Sequence, residues 1–258
     1  MSHFVVMVTN TDNEPLDSQL ERFYEQGEEG DYFMEKEYVL ERGTLEEVKD
    51  YVKNNLKIFN DNLEHCKEEN KDYWQKCIKR ANKQLKMKDA NKLLEDIAED
   101  ECYSVDEKGM YYVSNPNAKW DWWTIGGRWD GWLVKKDGTR CNTCKVKDLS
   151  LEKMSEAEKE DAARYYDEEV ARSKEANRKP FFWNYQETPT REQYIKDAGN
   201  RIAPYAVLDE DEWYEKATMG WWGISSNEKD PEEWEKWFKD WLGKLDPETE
   251  ITIVDCHI

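Results

Sequence analysis

A chain of 258 residues is long enough to bury a real core, as one large domain or two small ones. Its hydrophobic share of 38% and charged share of 37% lean towards disorder, but 13 Trp and 14 Tyr bury large areas and argue for a folded chain with long solvated helices. A formal net charge of −20 repels DNA and anionic membranes over most of the surface, so no direct nucleic-acid partner and no membrane partner is expected. Two partner types remain: a basic protein surface, or a small ligand held in a pocket whose local charge differs from the average. Acidity also serves solubility alone.

Phe4 to Val8 is a compact apolar run with β-branched residues and predicts a buried strand. The opening MSHFVVMVTN has neither the basic n-region nor the long apolar h-region of a signal peptide, and no apolar run reaches membrane-spanning length. With six irregularly spaced cysteines, this implies a reducing, cytoplasmic setting. Residues 11–43 are acidic and weakly patterned, with a short helix over Leu16 to Tyr24.

Thr44-Leu-Glu-Glu47 fits a capping box. Leu45, Val48, Val52, Leu56, Phe59 and Leu63 then recur at helical spacing, followed by Trp74, Cys77, Ile78, Ala81 and Leu85, and by Leu93, Leu94 and Ile97. Residues 44–100 therefore read as a helical insertion or arm. Met110 to Ser114 predicts a strand, Asn115-Pro-Asn a turn, and Asp137-Gly138 the tip of a hairpin. A second helical region, 151–202, holds a charged helix from Leu151 to about Ala176 and a short one over Thr190 to Ile202. Tyr205 to Leu208 reads as a strand. Asp230-Pro231-Glu-Glu233 starts a helix carrying Trp234, Trp237, Phe238, Trp241 and Leu242, and Ile251 to Cys256 closes the chain as a strand. The expectation is a single α+β domain over 1–258, with an antiparallel or mixed sheet, helices on one face and long helical insertions. A ferredoxin-like core, with first and last strands as antiparallel neighbours, is the arrangement expected.

The segment Asn115 to Trp132 concentrates the unusual chemistry. Trp120, Trp122, Trp123, Trp129 and Trp132 fall close together with Lys119, Arg128 and the pair Gly126-Gly127. Indole faces can stack on a base, Arg can pair with phosphate, and two glycines let backbone amides approach a ligand. The bland alternative is an aromatic knot in the fold, with Arg128 stacked on Trp. Met219-Gly-Trp-Trp-Gly-Ile224 repeats the pattern, so Trp221 and Trp222 could face Trp122 and Trp123 across a cleft, or simply cover the terminal helix.

His3, Asp255 and His257 form a third candidate. Residues two apart on a strand share a face, and antiparallel end strands would bring His3 beside His257. Two His and a carboxylate are a legitimate metal set, and equally a set of structural His–carboxylate pairs. Cys141-Asn-Thr-Cys144 has no partner pair and reads as free thiols. No phosphate loop, nucleophile elbow or cofactor motif is present, so no cofactor and no catalytic residue is assigned.

The start MSHF, the centre NPNAKWDWWTIGGRW, the Asp-Gly-Thr-Arg turn, the MGWWG segment and the end IVDCHI resemble a family of bacteriophage and bacterial proteins of uncharacterised function. Residues 44–100 and 151–190 carry little of that resemblance. It implies a phage accessory gene expressed in the host bacterial cytoplasm, of the kind that blunts host defence. The expected function is a non-enzymatic anti-defence binding protein that sequesters a small nucleotide signal. The base would stack on Trp122, Trp123, Trp221 or Trp222. Lys119, Arg128 and Arg140 would hold phosphate, with Gly126, Gly127 and Trp129 shaping the site. The alternatives are an acidic inhibitor or DNA mimic acting on a host defence protein, and a metal-dependent enzyme using His3, Asp255 and His257.

Overall fold

The computed structural model describes residues 2–10, 14–182, 185, 187–210, 212–220 and 224–258. The elements run β1 (His3–Asn10), α1 (Leu16–Glu21), β2 (Glu35–Glu41), α2 (Leu45–His65), α3 (Lys71–Gln84), α4 (Ala90–Glu101), β3 (Ser104–Val105) and β4 (Gly109–Ser114). Next come β5 (Trp122–Ile125), β6 (Leu133–Val134), β7 (Arg140–Cys141), β8 (Thr143–Lys145), α5 (Leu151–Glu175) and α6 (Arg191–Asn200). The chain ends with β9 (Ala206–Asp209), β10 (Glu212–Glu215), β11 (Thr218–Met219), β12 (Ser225–Ser226), α7 (Pro231–Leu242) and β13 (Glu250–His257). The protein is α+β, and contacts divide it into two compact units: residues 1–25 with 117–258, and residues 26–116.

The first unit is built on a mixed sheet of order β10-β9-β1-β13-β5, with β8 also paired to β13. The first and last strands are antiparallel neighbours, from His3 opposite His257 to Asn10 opposite Glu250, while β1 and β9 run parallel. The order is not ferredoxin-like. In that fold the third strand of a βαββαβ string lies beside the first; here the second, β9, does, and its hairpin partner β10 takes the edge. Burial gives the reason. Ala206, Val207 and Leu208 are fully buried and need cover on both sides, whereas β10 carries Glu212 and Glu215, which suit an edge.

Both faces of this sheet are covered, not one. Val5, Met7, Val207, Ile251 and Ile253 pack against Phe238, Trp241 and Leu242 of α7 and against Met154 of α5. Phe4, Val6, Val8, Leu208, Val254 and Cys256 pack against Leu20 of α1, Phe23 and Trp120. The unbroken apolar run Phe4–Val8 already carries that signal, because a strand with one wet face would alternate. The helix starts follow the sequence: Asp230 Oδ1 accepts from the amides of Glu232 and Glu233. Ser150 and Thr190 cap α5 and α6.

The second unit is an antiparallel sheet of order β2-β4-β3 with α2, α3 and α4. Its core is Val48, Val52, Ala81, Leu93, Leu94, Ile97 and Met110. The capping box forms as expected, with Glu47 Oε2 accepting from the Thr44 amide at 2.7 Å and Thr44 Oγ1 accepting from the Glu47 amide. The strand β2 is not legible in the sequence: its acidic residues hide the short apolar stretch Tyr38-Val39-Leu40, and charges of this kind are what edge strands carry. Among the described residues no helix is long and apolar enough to cross a membrane.

Candidate functional site

Strand register assembles the site. His3 lies opposite His257, which lies opposite Trp122; one step inward, Val5 lies opposite Asp255, which lies opposite Thr124. Opposed residues point to the same face and alternate along each strand. Trp122, His257 and His3 therefore make one row across β5, β13 and β1, at the rim of the sheet. The next row contains Asp255, and the row after that, Ile253 and Met7, is dry core. The His3 and His257 ring centroids are 5.0 Å apart, and His3 sits edge-on to Trp122 at 6.2 Å.

Asp255, only 2% exposed, is the hub. Its Oδ1 is 2.8 Å from Nδ1 of His3, and its Oδ2 accepts from the Arg128 amide at 3.0 Å. The second imidazole has its own carboxylate: His257 Nδ1 lies 2.5 Å from Asp121 Oδ1. An ionised carboxylate only accepts, so in each neutral ring the proton sits on Nδ1 and Nε2 carries the lone pair. Nε2 of His257 is buried with no hydrogen-bond partner among the described residues.

Gly126 and Gly127 are required by this packing. Both have left-handed backbone, φ +70° and +54°. A Cβ on Gly127 would stand 2.5 Å from Cβ and Oδ2 of Asp255, and one on Gly126 would stand 2.5 Å from Nδ2 of Asn142. The close approach that these glycines permit within the fold is to Asp255 and Asn142.

The aromatic segment divides in the same way. Trp120 is core: its Nε1 donates to Leu20 O at 3.1 Å and its ring stacks on Tyr24. Trp123 packs on the same side, while Trp129 and Trp132 pack on the opposite core. Trp132 Nε1 donates to Glu158 Oε1 at 2.6 Å, and burial holds that carboxyl above the usual carboxylate range. Only Trp122 of the five is exposed, at 50%. The cations divide too. Lys119 is spent on Glu215 at 3.1 Å and Arg140 on Asp161 at 2.8 Å. Arg128 is exposed, and among the described residues its guanidinium has no hydrogen-bond or ion-pair partner. Trp221 and Trp222 lie outside the described residues.

His3, Asp255 and His257 are therefore neighbours, as their sequence positions suggested, but as carboxylate-paired imidazoles. No group of three or more His, Cys, Asp or Glu among the described residues is arranged to hold a metal. Asp121 is the site residue that sequence reasoning missed; the signal is that His257 ends the strand beside which Asp121 enters β5, with the Asp121 amide donating to the His257 carbonyl at 2.9 Å. Cys141 and Cys144 are free thiols, and burial pushes Cys144 up to about 12, which makes it a poor nucleophile. Protein-family models, curated proteins and solved structures yield no match to this chain.

Proposed function

We propose that the protein binds a small phosphorylated nucleotide at the rim of its sheet. The observation that supports this best is an unpaired, exposed Arg128 whose amide is anchored to Asp255, the same carboxylate that holds His3 beside exposed Trp122. A purine would stack on Trp122, and the Arg128 guanidinium would grip a phosphate in a charge-assisted pair. His3, when protonated, would add a second donor. With Lys119 and Arg140 engaged in ion pairs, Arg128 is the one of these three cations that would grip the phosphate. In line with the phage resemblance, the ligand would be a nucleotide defence signal, sequestered in the bacterial cytoplasm. Thermal melting with cyclic dinucleotides and ADP-ribose-type nucleotides tests this. A rise in Tm with one of them, lost in Arg128→Ala and Trp122→Ala, is expected. No rise with any of them, and no nucleotide released when the purified protein is heated, overturns it.

One observation favours a second reading, an acidic surface that covers a basic host protein. A concavity of about 970 Å³ at α5, α6 and α7 is lined by Glu152, Asp197, Asp230, Glu232, Glu235 and Asp240, with fewer cations. Salt-sensitive capture of a host protein that survives Arg128→Ala would support it over the nucleotide site.

A further inference from the structure

The longest stretch of this chain without Asp or Glu is 73–88, and it holds six Lys and Arg residues. In a protein of net charge −20 that is a local inversion of sign. Most of it is α3 (Lys71–Gln84), which continues as a short turn to Lys86. Its apolar side is used: Ala81 is buried in the core of its unit, with Leu85 packed against it. Its outer side is a row of lysines. Lys76, Lys79, Lys83 and Lys86 are exposed, spaced by three and four residues, and so share one helix face.

The side chains of these four lysines make no hydrogen bond or ion pair among the described residues. Arg80 beside them is tied to Asp100 at 3.0 Å, and Lys83 lies within electrostatic reach of that same carboxylate. With Arg80 and Asn82 they line one surface concavity, so their side chains converge on a common patch. The row runs about 15 Å along the helix, the axial length of four or five base pairs of duplex. Neutral Gln75 and Asn82, both exposed, can hydrogen-bond between the charges.

We infer that the outer face of α3 binds the phosphate backbone of a nucleic acid. The overall acidity does not forbid it. At physiological ionic strength the Debye length is about 8 Å, so a phosphate in contact with this row is screened from the acids elsewhere. Lysines act as compact point charges without the planar fork that reads base edges, so the contact is independent of sequence. An anionic membrane fits less well, because the concavity under the lysine row is lined by Lys, Arg and Asn alone and offers no large apolar side chain to insert between the charges.

The test is fluorescence anisotropy of the full-length protein with a labelled duplex and a labelled single strand, each about 20 nucleotides long, at about 50 to 200 mM salt. At least one of the two is expected to bind. For a duplex, four lysine contacts give a log–log salt slope of roughly −3 to −4, a loss of about a hundredfold in affinity across that range. The variant K76Q/K79Q/K83Q/K86Q is expected to bind at least tenfold more weakly with a flattened slope. Its circular dichroism and Tm should match the parent, since all four side chains are exposed. Arg128→Ala and the exposed-lysine control K174Q/K196Q should bind as the parent does. The inference is overturned if neither nucleic acid binds at the lowest salt. It is equally overturned if the quadruple variant binds like the parent, if the control weakens binding as much, or if vesicles with anionic lipid are captured while both nucleic acids are not. None of these outcomes depends on the nucleotide site, which Arg128→Ala reports separately.

Discussion

Gly127 and Asp255 show how one contact fixes a site. The glycine takes a left-handed conformation so that its backbone can lie against the Asp255 side chain and deliver the next amide, that of Arg128, to Oδ2. Gly127→Ala adds both backbone strain and a steric clash, and is expected to cost roughly 2–4 kcal/mol in urea unfolding. Asp255→Asn keeps the shape but replaces one acceptor oxygen with an NH₂ donor, facing either the Arg128 amide or the His3 ring. A loss of about 1–3 kcal/mol is expected for the lost hydrogen bond at a buried position. If the amide group turns towards His3, the imidazole must move its proton to Nε2 to accept from it. The ¹⁵N shifts of His3 would report that tautomer change, and unchanged shifts together with unchanged stability would contradict the hub role of Asp255.

Among the elements, α5 carries a half-buried carboxylate, Glu158, and a buried one, Glu169, with opposite pH signatures. Glu158 has its pKa raised by burial, so the folded state holds its proton more tightly than the unfolded chain does. The stability it contributes is complete below the ordinary carboxylate range and is lost as pH rises through the raised value. Glu158→Gln keeps an oxygen for the Trp132 indole and removes that loss. Urea melts at pH 5 and pH 8 should show the variant gaining on the parent at the higher pH. Glu169 behaves in reverse. Arg178 grips it through two hydrogen bonds and the Phe181 amide donates to it, which together lower it to about 2. Its contribution is present above the ordinary range and is lost as pH falls towards that value. The protection factor of the Phe181 amide against hydrogen exchange should fall on acidification, and at neutral pH in Glu169→Gln.

At the scale of the molecule, residues 26–116 enter and leave the first unit at adjacent points. The Glu25 amide donates to the Trp120 carbonyl at 2.9 Å, and the Lys119 amide donates to the Phe23 carbonyl at 2.8 Å. Tyr24 and Trp120 form a parallel bridge there. The insertion has its own apolar core and the first unit keeps its own on both faces of its sheet. Replacing 26–116 by a short Gly/Ser linker is therefore expected to leave a folded first unit that retains any nucleotide-dependent rise in Tm while losing binding through α3. A chain that no longer melts cooperatively after this replacement would mean that the two cores depend on each other.

Features that depend on near neighbours along the chain can be read from the residues alone. Capping residues at Thr44 and Asp230, helical periodicity, the Asp137-Gly138 turn and the buried end strands are all legible, because each rests on hydrogen bonds or spacing within a few residues. The pairing of the two end strands, and with it the meeting of His3 and His257, could also be anticipated. Which side chains are left to act depends instead on long-range packing. Trp120, Trp123, Trp129 and Trp132 look alike in sequence to Trp122, and Lys119 and Arg140 look alike to Arg128. Packing against cores far along the chain, and carboxylates as distant as Glu215 and Asp161, consume the others. A partner drawn from anywhere in an acidic chain is a long-range fact, and no local pattern encodes it. The same holds for Gly126-Gly127, where a motif that suggests room for a ligand is filled by Asp255 and Asn142 of the protein itself.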